Sequence, residues 1–193
     1  MNWIANGRVP AMLGALAGAA LLAACSDKAA EEAATKPSSE TLAALVSQAD
    51  DLSVVSATLK DAGLSQVFDG VAAYTLLAPQ DAAFTSLGET GETLRSDEQR
   101  PAMVAVLRDH IVPGYLTPAD IAKAIEADGD GKVAMRTMAG HTLTFASDGG
   151  TVTATGEDGA TVRFAGDALL AGNGVAIPVD GLTVDVGGSA EAQ

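Results

Sequence analysis

The sequence predicts an α+β domain, with N-terminal helices packed on a mostly antiparallel β-sheet. Two observations predict it. Between Glu40 and Ile125 the apolar residues fall mostly at helical spacing, interrupted by one short apolar run. After Gly131 the spacing changes to period two, broken by Gly, Asp and Asn turns. Helical and strand patterns are thus segregated along the chain, which argues against alternating βαβ units. No internal repeat is present, so a single domain is expected.

The first helix is expected near Glu40, with Ser38 or Ser39 as its cap. Leu42, Leu45, Val46 and Ala49 form its i, i+3, i+4, i+7 stripe. Asp50 or Asp51 is the expected cap of the second helix, with Leu52, Val55 and Leu59 inward and Gly63 as its stop. Leu64, Val67 and Phe68 add one apolar turn. Tyr74–Ala78, ended by Pro79, reads as a buried strand, and Asp81–Leu87 as a short helix. Pro101 suits a helix first turn and would break an interior. The main helix therefore starts there, with Met103, Val104, Leu107 and Ile111 inward and Pro113-Gly114 as its end. Thr117-Pro118-Ala119-Asp120 opens the last helix: Thr117 caps, Pro118 takes the first position and Asp120 the third. Ile121, Ala124 and Ile125 face inward.

The strand half alternates at Leu143/Phe145, Val152/Ala154, Val162/Phe164, Val175/Ile177/Val179 and Leu182/Val184/Val186. Asp148-Gly149 and Asp158-Gly159 are the expected hairpin turns. Residues 40–186 make the domain, and 187–193 read as a frayed tail.

The N-terminal segment has a different character. Arg8 precedes twelve uncharged residues, Ala11–Leu22. That length suits the apolar region of a signal peptide and is short for a bilayer span of ~20 residues. Leu22-Ala23-Ala24-Cys25 follows the pattern of a bacterial lipobox. Residues 1–24 are thus expected to be removed, leaving Cys25 as the lipid attachment site. Residues 25–39 then form a lipidated linker of Ala, Glu, Lys, Ser and Asp, with no large apolar side chain to bury. Ser26, rather than Asp, after the cysteine favours an outer-membrane address.

Composition excludes several chemistries. Cys25 is the only cysteine, so acylation leaves no thiol for disulfides, thiolate catalysis or cysteine metal sites. Two histidines make a zinc centre a poor reading. The formal charge of −14 repels nucleic acid and anionic headgroups.

Four stretches, in order, resemble the fasciclin (FAS1) family. Tyr74-Thr75-Leu76-Leu77-Ala78-Pro79-Gln80-Asp81-Ala82-Ala83-Phe84 is similar to its first signature. Leu107-Arg108-Asp109-His110-Ile111-Val112-Pro113-Gly114 is similar to its central Tyr-His segment. Gly140-His141-Thr142-Leu143-Thr144-Phe145 matches its mid-domain strand. Asn173-Gly174-Val175-Ala176-Ile177-Pro178-Val179-Asp180-Gly181-Leu182 resembles its closing motif. The resemblance covers Glu40–Val186 and implies a FAS1-like domain, helices on a mostly antiparallel sheet or wedge. It departs at Gln80, where the family has a Thr cap. It departs again at Asp109, in place of the Tyr of a pair linked in animal members to integrin binding, and at Ile177, in place of the closing His.

Among polar residues, His110, Asp81, Asn173 and Asp180 are the structural or interaction candidates. His110 is expected to be half-buried and hydrogen-bonded to a neighbouring loop, and His141 exposed. Asp81 is the alternative cap for the helix after Pro79. Asp128-Gly129-Asp130-Gly131 fails as a calcium loop, because Thr137 takes the twelfth position where a bidentate Glu is required. The glycines of 149–159 match no phosphate-binding pattern, and no Ser sits in a Gly-x-Ser-x-Gly elbow. The expectation is a monomeric, non-enzymatic adhesion or protein-interaction module on the cell envelope. It would face the periplasm or the surface, meet the membrane through its lipid alone, and carry no cofactor and no metal. A binder of an apolar ligand such as a carotenoid is the alternative.

Overall fold

The computed structural model describes residues 36–187; Cys25, its lipobox and residues 188–193 of the tail lie outside them. The helices come first: α1 Leu42–Gln48, α2 Ser53–Asp61 and α3 Ser65–Phe68. Strand β1, Tyr74–Pro79, follows, then α4 Asp81–Ser86, α5 Glu89–Leu94 and α6 Arg100–Asp109. After β2, Ile111–Pro113, comes α7, Pro118–Ala127. The remainder is strand: β3 Lys132–Arg136, β4 Thr142–Asp148, β5 Thr151–Thr155, β6 Thr161–Arg163, β7 Leu169–Ala171 and β8 Gly174–Val179.

The strands make two four-stranded sheets, ordered β2-β1-β8-β7 and β3-β4-β5-β6. Ladders are antiparallel except β1 with β8, which run parallel from Tyr74↔Gly174 to Pro79↔Val179. The sheets are joined by the bridge Phe164↔Val179. In the β4–β5 hairpin, Gly149 and Gly150 both have positive φ, 60° and 87°, as a tight two-residue turn requires.

Two cores result, and the first sheet divides them. Leu76, Ala78 and Ala176 face the helical layer, where they meet Leu42, Val55, Phe84 and Leu107. Leu77, Val175, Ile177 and Val179 face the other way, onto α7 and the second sheet, with Ile121, Ile125, Leu143 and Phe145. Each of these large side chains gains roughly 1.5–3 kcal/mol on full burial.

The α7 start is as expected. Thr117 Oγ1 accepts from Asp120 N–H, and the Asp120 carboxylate accepts from Thr117 N–H. Other expectations are corrected. Thr41, not Ser38 or Ser39, caps α1. Neither Asp50 nor Asp51 caps α2; Asp81 does so from 27 residues away. The main helix ends at Asp109 rather than at Pro113, because Leu77 N–H bonds the His110 carbonyl and Ile111 pairs with Leu76. Val106 is buried on its inner face, and Val104 only half so. Strand β8 does not alternate but is buried at every residue, since both its faces are covered. Residues 182–186 form no strand, although Leu182 and Thr183 are buried. The hydrogen bonding of the fold begins before Glu40: Ser38 N–H donates to Leu170 O at 2.7 Å, and Gly172 N–H to Glu40 O.

Candidate functional site

The four candidate residues lie apart in the chain, at the ends of elements or in a turn, and three of them hold elements together. Asp81 opens α4, yet its carboxylate turns to α2. Oδ1 accepts from Val54 N–H at 2.9 Å, and Oδ2 accepts from Ser53 N–H and its hydroxyl. These amides are orphans of a helix start, so Asp81 is a cap supplied from elsewhere in the chain. Gln80 is the cap position of α4 and makes no capping bond; its amide donates to Asp51 Oδ2 at 2.7 Å. Asn173, in the β7–β8 turn, accepts from Leu42 N–H at 2.8 Å and donates to the carbonyls of Phe68 and Gly70. One side chain thereby ties the start of α1 to the end of α3. Asp180 accepts from Arg163 N–H at 2.7 Å and fixes β8 to β6.

His110 is completely buried rather than half-buried. Its Nδ1 lies 2.8 Å from the Val106 carbonyl, which can only accept, and its Nε2 lies 3.0 Å from the Thr183 amide, which can only donate. The ring is therefore neutral with its proton on Nδ1. Burial pushes its pKa down to about 4. The loop bonded to His110 is the C-terminal segment at Thr183, which Gly156 also approaches so closely that a Cβ there would overlap the Thr183 carbonyl.

Next to His110 lies a pair that the sequence analysis did not anticipate. Asp109, 7% exposed, accepts from His141 Nδ1 at 2.6 Å and from Thr137 Oγ1 at 3.3 Å. The His141 ring is exposed, as expected, but it is not free. The hydrogen bond it donates to Asp109, then the charge of that carboxylate, raise the His141 pKa, with smaller pushes from Glu157 and Asp158. Asp109, His141, Glu157, Asp158 and Thr183 line a crevice of about 230 Å³. Its carboxylates are engaged: Glu157 accepts from Thr142 N–H, and Asp158 from Ala160 N–H and Asp185 N–H. A carboxylate–imidazole pair can hold a proton, but nucleophilic catalysis needs a nucleophile within its reach. The Thr183 hydroxyl contacts His110 instead.

Among the described residues no group of three or more His, Cys, Asp or Glu is placed to hold a metal. Asp128 and Asp130 form a solvated turn in which Asp130 N–H donates to Asp128 Oδ1. No helix among them is long and apolar enough to cross a membrane.

A family model of the fasciclin domain matches residues 50–184. The chain belongs to the fasciclin family. The fasciclin domain here is 30% identical over 113 residues to Protein sll1483 of Synechocystis, a match covering 58% of each chain. Its fold resembles part of a FAS1 domain pair from the insect cell adhesion molecule fasciclin I, with a TM-score of 0.65 at 13% identity. That likeness covers 76% of this chain and 51% of the insect chain. The chain thus spans between half and three-fifths of the length of these relatives. Within the fasciclin domain, the polar residues of the first, central and closing motifs serve mainly as ties between elements.

Proposed function

We propose that this fasciclin domain is an adhesion or protein-interaction module, held on the bacterial envelope by lipid on Cys25. The observation that carries the reading is where its polar chemistry goes. Asp81, Asn173, Asp180 and His110 each direct their polar atoms to backbone groups of the fold. Such a molecule acts by surface complementarity. The name of its structural relative, an insect cell adhesion molecule, supports the same class of function. The Leu22-Ala23-Ala24-Cys25 pattern supports the anchor, which would concentrate a weakly binding domain at one surface. The partner is a protein or another envelope component, met by a monomer, with the outer membrane as the favoured address. The crevices beside Asp109 and beside Arg100 measure about 230 and 250 Å³ and are rimmed with charged side chains. They lend no support to a bound carotenoid, and the hydroxyl that reaches His110, that of Thr183, is buried with it away from any substrate.

The test has two arms. Mass spectrometry of the mature N-terminus is expected to show an acylated Cys25; an unmodified Cys25, or another start, overturns the anchor. A pull-down from envelope and neighbouring-cell extracts with residues 37–193 is expected to recover a saturable protein or envelope partner. Turnover in an unbiased hydrolase screen overturns the interaction reading.

A further inference from the structure

Among the described residues Val71 is the large apolar side chain left fully in solvent. It sits in the uncharged segment Gly70-Val71-Ala72-Ala73, between α3 and β1. Ala72 is exposed too, and so is Pro113, paired across from Tyr74 at the foot of β1. Single exposed apolar residues are ordinary on protein surfaces, so position decides this case.

The chain enters the fold at the same end of the first sheet. Ser38 N–H bonds Leu170 O, and Gly172 N–H bonds Glu40 O, beside the β7–β8 turn. Asn173 of that turn holds Leu42 on the entering segment and the Phe68 and Gly70 carbonyls at the base of the Val71 loop. Gly174, next in the chain, pairs with Tyr74, the first residue of β1 after the loop. The entry point and the apolar tip are therefore fastened to one residue. From Cys25 to Ser38 the chain can reach at most ~45 Å.

We propose that the Gly70–Ala73 loop is a second membrane contact, which seats Val71 in the interfacial layer of the bilayer that carries the lipid on Cys25. The inference rests on the anchored reading above and adds a protein contact to the lipid one. A loop this small binds lipid too weakly to hold a free domain. Tethering makes the encounter intramolecular, so a weak contact suffices to orient the molecule. With Val71 down, the crevice lined by Asp109 and His141 and the exposed strands of the second sheet remain available to a partner. The acidity of the domain selects a zwitterionic rather than an anionic surface.

The experiment supplies the anchor chemically, so its outcome is independent of lipidation in the cell. The processed chain, Cys25–Gln193, has one thiol and no tryptophan, and residues 37–193 form one compact unit. It is coupled through Cys25 to maleimide-lipid vesicles of phosphatidylcholine. Val71→Trp places a sole reporter in the loop, and Lys123→Trp places one on α7, which packs against the second sheet. The expected result is a blue-shifted emission, quenched several-fold by brominated lipid, for Val71→Trp and not for Lys123→Trp. In the coupled wild-type chain, amide exchange at Ala72 and Ala73 slows several-fold relative to the uncoupled chain. Unchanged emission and exchange on coupling overturns the proposal. So does a shift that appears in solution with a doubled mass, which would make the loop a contact between two copies of the chain.

Discussion

Asp109 and His141 are 32 residues apart in the chain and 2.6 Å apart in the fold, with the carboxylate buried and the imidazole at the surface. The neighbouring His110 has the opposite environment, and the two histidines bend the pH dependence of stability in opposite directions. The folded pKa of His141 is raised above its usual value of 6.5. Its contribution is therefore full below pH 6.5 and is lost as the pH rises through the folded value.

His110 falls to about 4 in the fold, while the unfolded chain titrates near 6.5. Its contribution is full above 6.5 and is lost as the pH falls toward 4, amounting to about 2 kcal/mol by pH 5. Urea midpoints measured from pH 5 to 8 are expected to peak near neutrality. His141→Asn should flatten the alkaline side only, and His110→Gln the acid side only. A wild-type midpoint independent of pH over this range would contradict both assignments.

His110→Ala removes the partners of a buried carbonyl and a buried amide and leaves a cavity between α6 and Thr183. The expected loss is about 3 kcal/mol. His141→Ala leaves the buried Asp109 carboxylate with Thr137 alone. It should therefore lower the midpoint measurably at pH 6, although the ring is exposed. Chemical denaturation of both variants at one pH decides the order.

At the α2 start, Asp81→Ala should cost about 1–2 kcal/mol and Asp81→Asn much less, because Asn also accepts at a helix cap. Gln80→Thr should stabilise by about 0.5 kcal/mol: Gln80 has the extended backbone of a cap but no capping bond. Differential scanning calorimetry of the three variants checks both signs. A destabilising Gln80→Thr would show that its bond to Asp51 outweighs the missing cap.

Asn173→Asp keeps an acceptor for Leu42 N–H but loses both donors to the Phe68 and Gly70 carbonyls. A loss of about 2–3 kcal/mol is expected. Hydrogen exchange should report it first at α1 and α3; uniform loosening of the whole domain would argue against a local clamp.

What could be read from the sequence follows how far each cause lies along the chain. The capping box of α7 spans Thr117 to Asp120, so four consecutive residues carry it and it was legible. The strand pairs of the second sheet alternate because one face is buried, and they too were legible at Leu143/Phe145 and Val162. Strand β2 was not, because Ile111 continues the helical stripe of Leu107 and only pairing with Leu76 pulls it away. Strand β8 misled for a related reason: a strand covered on both faces has no alternation to show. The caps at Asp81 and Asn173 lie 27 and 131 residues from the amides they serve, and no local pattern records them. The Asp109–His141 pair was hidden in the same way.

The parallel pairing of β1 with β8 also has a kinetic consequence. Tyr74 and Gly174 must meet across about a hundred residues before the first sheet has its centre, and closures of that length slow folding. A chain leaving the ribosome, or a translocation pore, N-terminus first carries β1 with one edge open until Val179 has emerged. The centre of the first sheet thus waits for residues 174–179, whatever the preceding elements have already formed. Until then the helical half has no rigid floor, because Leu76 and Ala78 gain their neighbour Ala176 only when β8 takes its place between β1 and β7.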